Sequence, residues 1–339
     1  MARISRTLIA GCLLMAGGAQ GDDAIKVTPD NFVRAETDMY FSVSAKESEL
    51  GRLFHRREPF DVNHQTVIRG NRDTLYSSGV FDLDAGPVTI TLPDAGNRFM
   101  SLMVLNQDHY VTDVFHGAGS HTIDKGHVGT RYVLIAVRTL IDPGTAGDAD
   151  VVHKLQDAIK VDQPGGPGKL ELPVWDKTSQ DNVRKALLAL GATMDGFSNA
   201  FGTKDQVDPV HHLIGTAAGW GGNPSSEATY IGVTPLKNDG KTVYSLHVPA
   251  SVPVDGFWSV SRYNAEGFFV PNPLNAYSIN NLTAAKGSDG SIDIQFGDCD
   301  GKIPNCLPID PGWNYTVRLY QPQQNVLDGS WKFPDPQPR

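Results

Sequence analysis

"LYSSGVFDLDAGPVTITLPDAGNRFMSLMVLN", residues 75–106, returns later in the chain as "TYIGVTPLKNDGKTVYSLHVPASVPVDGFWSVSRYN", residues 229–264. Tyr76 aligns with Tyr230, Gly86 with Gly240, Pro93 with Pro249, Phe99 with Phe257 and Asn106 with Asn264, while the offset moves only from 154 to 158. Both stretches break into short runs rich in β-branched and aromatic residues, punctuated by Asp, Gly and Pro, which is the pattern of strands and turns. A generic hairpin pattern imitates part of this match. The ordered series of aromatics and glycines favours a copied β unit. A mainly β fold follows, with two consecutive jelly-roll or β-sandwich modules.

Helical texture surrounds and separates the modules. Thr28 as N-cap and Pro29 at the first helical position predict an amphipathic helix carrying Phe32, Glu36, Met39, Tyr40 and Val43. Further on, Val152, Leu155 and Ile159, then Val183, Leu187 and Leu190, recur at three and four, the second set stopping at Gly191. The expected organisation is a leader at 1–21, an N-terminal helical segment at 22–60, a first β module at 61–141, a helical insertion at 142–218 and a second β module at 219–339.

The leader reads as a secretory signal: Arg3 and Arg6, a short apolar run from Leu8 to Ala16, then small residues before Asp22. The run is too short to span a bilayer, so no integral membrane segment is expected once it is removed. The expected location is periplasmic or secreted. "IAGC" offers lipoprotein anchoring through Cys12 as the less favoured alternative. Loss of Arg3 and Arg6 takes the formal charge from −9 to −11, which leaves no electrostatic footprint for nucleic acid. In an exported chain, Cys299 and Cys306 in "DCDGKIPNC" are expected to close a small disulfide loop.

"NRDTLYSSGVFDL", "NRFMSL" and "TRYVLIAVRT" resemble the bacterial domain of unknown function 1254, and "DGFWSVSRYN", "GFFVPN", "NCLP", "VRLYQP" and "DGSW" resemble its companion, the domain of unknown function 1214. The resemblance covers nearly the whole mature chain. It implies two consecutive sandwich or jelly-roll modules with a helical insertion. Its likeness to viral capsid subunits implies a homo-oligomer. It assigns no activity.

Candidate site residues fall in a few polar clusters. "NQDHYVTDVFHG", residues 106–117, spaces His109, Asp113 and His116 as a helical metal site would, but its alignment with "NAEGFFV" makes it a turn followed by a strand. No three-ligand metal site is then expected, and no cofactor. Motifs of the common hydrolases, metalloenzymes and nucleotide-binding proteins are missing from the sequence. His109 with Asp113 is the candidate catalytic pair, a carboxylate orienting an imidazole base. Asn71, Arg72, Asp73, Tyr76, Tyr110, Trp220, Arg262 and Tyr263 are the candidate ligand-binding residues, with turn-making or core roles as the competing explanation. The expected activity is binding or transforming a small organic ligand in a cleft between the modules, as a metal-independent hydrolase or lyase if it is an enzyme. The alternative is a non-enzymatic structural or interaction protein assembling through capsid-like sandwich faces.

Overall fold

The computed structural model describes residues 24–65, 68–194 and 196–339, so the leader and Cys12 lie outside the described residues. Helix α1 (Phe32–Ser48) leads into strands β1 (Phe54–His55), β2 (Thr74–Asp82), β3 (Val88–Leu92), β4 (Met100–Asn106), β5 (Val111–His116) and β6 (Gly119–Ile123). The short α2 (Lys125–Val128), β7 (Tyr132–Leu140), α3 (Asp148–Asp157), β8 (Lys160–Asp162), α4 (Lys177–Gly191) and α5 (Pro209–Gly219) follow. Then come β9 (Ala228–Val233), β10 (Tyr244–Val248), β11 (Trp258–Tyr263), β12 (Ser278–Asn280), β13 (Ile292–Phe296), β14 (Cys306–Leu307), β15 (Asn314–Tyr320), α6 (Gln324–Leu327) and β16 (Gln337–Pro338).

The strands make four sheets, and the repeat written in the sequence is visible in their order. The first half holds β1-β2-β7-β4-β5 and β6-β3-β8, and the second holds β12-β11-β15-β9 and β14-β13-β10-β16. Taken from its other edge, the β12-β11-β15-β9 sheet runs β9-β15-β11-β12, which matches β2-β7-β4-β5. The registers agree as well. Arg138 lies opposite Tyr76 and Ser101, and Arg318 lies opposite Tyr230 and Ser259. Among the named strands of the described residues, all pairings are antiparallel except β13 with β14.

Each half is a sandwich whose core follows from strand alternation. Val88, Ile90 and Leu92 of β3 meet Leu102, Val104, Val133, Ile135 and Val137 across the first sandwich. Tyr244, Leu246 and Val248 of β10 meet Val260, Tyr315, Val317 and Leu319 across the second. Strands β3 and β10, in the other sheet of each sandwich, alternate buried and accessible residues. The central strands β4, β7, β11 and β15 are buried along their whole length. Their second faces are covered too, by α1 or by the other module.

Two helical expectations need correcting. Helix α1 begins at Phe32 rather than Pro29, because Asn31 folds back to Thr28: Thr28 N–H donates to Asn31 Oδ1 at 2.8 Å and Asn31 N–H donates to Thr28 O at 3.2 Å. The helix also buries more than one stripe, since it lies between the first sheet, α4 and α5. Phe32, Ala35 and Phe41 are fully buried, Glu36 and Asp38 are buried with them, and Val43 is exposed. Arg184 pairs with Glu36 at 2.5 Å, which makes that burial tolerable. The 142–218 stretch carries α3, α4 and α5 as the expected helical insertion, and it also adds to the first module. Its strand β8 completes the first module's smaller sheet, and Leu170 and Leu172 pack against the outer face of the larger one.

The turn after β4 shows how closely the halves agree. Asn106 Oδ1 accepts from the backbone N–H of Asp108 and Tyr110, both at 3.0 Å, and Asn264 Oδ1 accepts from Phe268 N–H at 2.8 Å. In each copy the residue three positions after the Asn has positive φ: 61° at His109 and 90° at Gly267. A left-handed backbone is easy for glycine and strained for histidine. Cys299 and Cys306 form the expected disulfide, with Cα atoms 5.7 Å apart.

Replacing Asn106 by Ala removes the oxygen that accepts both turn hydrogen bonds and the amide that donates to Val128 O at 3.0 Å. Urea unfolding is expected to show a loss of about 1–3 kcal/mol; no change would mean that the turn is held by other contacts.

Candidate functional site

The outer faces of the β1-β2-β7-β4-β5 and β12-β11-β15-β9 sheets meet, and each brings one row of polar side chains to the contact. The first row is Tyr76, Arg138 and Ser101; the second is Tyr230, Arg318 and Ser259. An Asn amide donates to the tyrosine hydroxyl in each: Asn71 Nδ2 to Tyr76 at 3.2 Å and Asn223 Nδ2 to Tyr230 at 2.9 Å. A carboxylate three residues before each tyrosine crosses to the opposite module. Asp73 accepts from Ser259 Oγ at 2.6 Å and Ser278 Oγ at 3.0 Å, and Glu227 Oε2 lies 2.7 Å from His116 Nε2. Phe99, Phe257, Leu140, Ala228 and Tyr320 seal the contact with apolar surface.

Between the rows lies a narrow crevice, too tight as it stands to admit a water molecule, bounded by Ser101, His116 and Arg138 from the first module and by Asn223, Glu227 and Tyr320 from the second. Arg138 is 7% exposed. Its guanidinium sits over the Tyr76 ring at 5.4 Å and donates to Gly221 O at 3.3 Å. Burial works against its charge, but Tyr76, Tyr230 and Tyr320 around it outweigh that and raise its pKa. The two phenols beside it diverge. Burial would raise Tyr76, yet Arg138 and the Asn71 amide hold it below its ordinary value, whereas burial drives Tyr320 well above. Such divergence between neighbouring groups is common at acid–base sites. Two wider grooves, of about 520 and 410 Å³, open elsewhere, and none of the sequence-nominated residues lines either. Among the described residues, no group of three or more His, Cys, Asp or Glu is placed to hold a metal ion, and no helix is long and apolar enough to cross a membrane.

Family profiles match both halves. Residues 50–129 match a protein of unknown function, DUF1254, and residues 234–324 match another, DUF1214. The chain carries these two regions in consecutive order. A crystal structure from Vibrio parahaemolyticus shares the fold with a TM-score of 0.71 and 19% identity over 92% of this chain and 97% of that one. An uncharacterised protein from Burkholderia cenocepacia is more distant, with a TM-score of 0.52 and 12% identity over 91% of this chain and 87% of that one. Among curated proteins, none matches the chain. Tyr76, Ser101 and His116 fall inside the DUF1254 match, and Ser259, Arg318 and Tyr320 fall inside the DUF1214 match. Arg138, Asn223 and Glu227 lie in the stretch between the two.

The nominated residues do not gather in one place. Asn71, Asp73, Tyr76 and Tyr263 of the DUF1254 and DUF1214 regions do meet at the module contact, where Tyr263 Oη donates to Gly70 O at 2.8 Å. Arg72 and Asp73 form no ion pair: Arg72 bonds Phe60 O and covers the Tyr277 ring, because Asp73 is turned toward Ser259. Arg262 stays inside the DUF1214 region, paired with Asp310. His109 and Asp113 do not form a dyad. Asp113 pairs with His127 at 2.9 Å on the surface. His109 is fully buried: its Nδ1 faces Thr216 Oγ1 at 2.8 Å, and its Nε2 accepts from Gly221 N–H at 2.8 Å. Thr216 Oγ1 donates in turn to His212 O. Trp220 stacks on Tyr40 and His109 and donates to Thr37, so it plugs the gap between α1 and the first module; Tyr110 stacks on His212. The residues that sequence reasoning missed are His116 as the carboxylate-held imidazole, Glu227 as its partner, and Arg138. Aligning Tyr76 with Tyr230 places Glu227 opposite Asp73, and that signal was legible.

Burial, and then His212, depress the His109 pKa well below 6.5, so the folded chain holds this ring neutral while the unfolded chain protonates it near 6.5. Its stabilising contribution is complete above pH 6.5 and declines as pH falls below it, by at most about 1.4 kcal/mol per pH unit. His109→Asn, which tolerates positive φ, is expected to flatten the pH dependence of urea stability between pH 6.5 and 5. An unchanged slope would count against the buried neutral ring.

Proposed function

We propose that the protein binds and transforms a small organic molecule in the crevice between its two modules, outside the cytoplasm. The observation that carries this reading is the convergence of a carboxylate-held imidazole, a buried guanidinium and the Tyr320 phenol on one narrow space between duplicated sheets. His116 is the proton-transfer group. Glu227 occupies its Nε2, orienting the ring and compensating the charge that develops when Nδ1 takes a proton. Among the described residues no group bonds Nδ1, which leaves that nitrogen for substrate. The chemistry is metal-independent acid–base work, of the hydrolase or lyase kind. The crevice is narrow, so the 220–227 loop that carries Asn223 and Glu227 is the part that must lift to admit a ligand. The exported location is supported by the leader sequence and by a disulfide that suits an oxidising compartment.

A metabolite panel screened by thermal shift against the parent, His116→Gln and Asn223→Ala tests the assignment. Compounds that stabilise the parent are expected to lose at least half of their shift in Asn223→Ala. Turnover of any such compound is expected to fall by 10²-fold or more in His116→Gln. Identical responses in all three proteins would leave the polar rows as intermodular glue and place any site elsewhere.

A further inference from the structure

We infer that the groove of about 410 Å³ between α1 and the start of α4 is a second binding site, which takes a primary amine with an apolar body. It lies apart from the crevice and does not rest on the function proposed for it. Asp38 of α1 lines this groove and is only 2% exposed. Two neutral groups hold its carboxylate: Gln107 Nε2 donates to Oδ1 at 2.9 Å and Trp175 Nε1 to Oδ2 at 3.0 Å. Among the described residues no Lys, Arg or His comes within ion-pair distance of it. Arg34, one turn earlier on α1, bonds Asp108 instead. Other buried carboxylates are treated differently. Glu36 meets Arg184 at 2.5 Å, Asp82 meets Arg131 at 2.9 Å, and Asp148 is paired with Arg98. Asp73 also lacks a paired cation, but the hydroxyls of Ser259 and Ser278 satisfy it, and it lines neither groove nor the crevice. Asp38 combines a buried, unpaired carboxylate with open space beside it.

A carboxylate enclosed in this way gains from a charge partner, because burial penalises its ionised form. Burial raises the Asp38 pKa although Gln107 and Trp175 both pull it down, which is the direction expected of a carboxylate short of counter-charge. Each of its oxygens keeps an acceptor position beyond the hydrogen bond it already takes. Two more acceptors line the same groove. Gln180 is 3% exposed and gives its amide nitrogen to Glu36 Oε2 at 2.8 Å, while among the described residues nothing donates to its carbonyl oxygen. The Ser42 hydroxyl, one turn after Asp38 on α1, likewise bonds nothing among them. A primary ammonium carries three N–H donors, a match for a carboxylate, an amide oxygen and a hydroxyl. Met39, Leu170, Leu172, Pro173 and Trp175 make the remaining walls, so the body of the ligand is apolar, and the Trp175 indole suits a neighbouring cation. Lys177 also lines the groove, with its ammonium held by Asp181 at 2.5 Å. Its like charge disfavours a second cationic group on the ligand.

Isothermal titration of the full chain with phenethylamine, phenethyl alcohol, hydrocinnamate and trimethylphenethylammonium, at constant pH and ionic strength, tests the site. Phenethylamine is expected to bind saturably, and the alcohol, the acid and the trimethylated cation at least about tenfold more weakly. Asp38→Asn is expected to cost the amine about tenfold or more in affinity and to leave the response to the alcohol as it was. Ser42→Lys, which brings a tethered ammonium within one turn of Asp38, is expected to abolish amine binding. The comparison of amine with alcohol needs only the parent chain, so it holds even if neither variant folds. An alcohol, acid or trimethylated cation that binds as well as the amine would overturn the inference. So would the lack of any saturable amine binding, or a folded Asp38→Asn that keeps the full response. The crevice variants His116→Gln and Asn223→Ala are expected to bind the amine like the parent; its loss in them would put the amine in the crevice and remove the second site.

Discussion

Arg318 is a cation that cannot shed its proton, buried where two β modules touch, and the contact is arranged around keeping it satisfied. Its donors reach backbone carbonyls at Arg69 and Gly70 in the other module, so the charge ties the second sheet to the segment entering β2. Asp73 follows in the same segment and reaches back to Ser259 and Ser278. Losing either end of this exchange would leave a polar group buried without a partner, which is costly in a low-dielectric contact. The module arrangement is fixed by that demand as much as by the apolar seal of Phe99, Phe257 and Tyr320.

Much of the fold was legible because several strands obey simple alternation. In β3 and β10 every second residue is apolar and buried, and the flanking Gly, Asp and Pro mark where each strand stops. The copied order of aromatics also led to the copied strand order. What alternation could not supply was the second buried face of β4, β7, β11 and β15. There Ser259, Ser261, Thr316 and Arg318 are buried although a one-sided sheet would leave them in water, because a second sheet covers them. Helix α1 misled for the same reason: three neighbours bury it, so Glu36 and Asp38 are enclosed and the expected apolar stripe is incomplete.

The site was half legible. Asn71, Asp73 and Tyr76 stood out as a polar cluster at a strand entrance and do lie at the module contact. His109 was preferred over His116 because Asp113 is close to it in sequence, but positive φ at His109 turns the ring inward to Thr216 and Gly221. The carboxylate that His116 meets comes from the other copy, 111 residues away. Local spacing carries no trace of such a pair. Only superposing the two copies reveals it, through the equivalence of Asp73 and Glu227.

One residue, Gly221, joins the buried His109 to the crevice. Gly221 gives its N–H to the sealed ring of His109 and its carbonyl to the guanidinium of Arg138. Its φ is 77°, a geometry that few other residues adopt at ease. A lid raised at this residue would break both bonds in one motion, freeing the cation and stripping the imidazole of its donor together. The plug beside α1 and the intermodular cleft thus share one residue, Gly221.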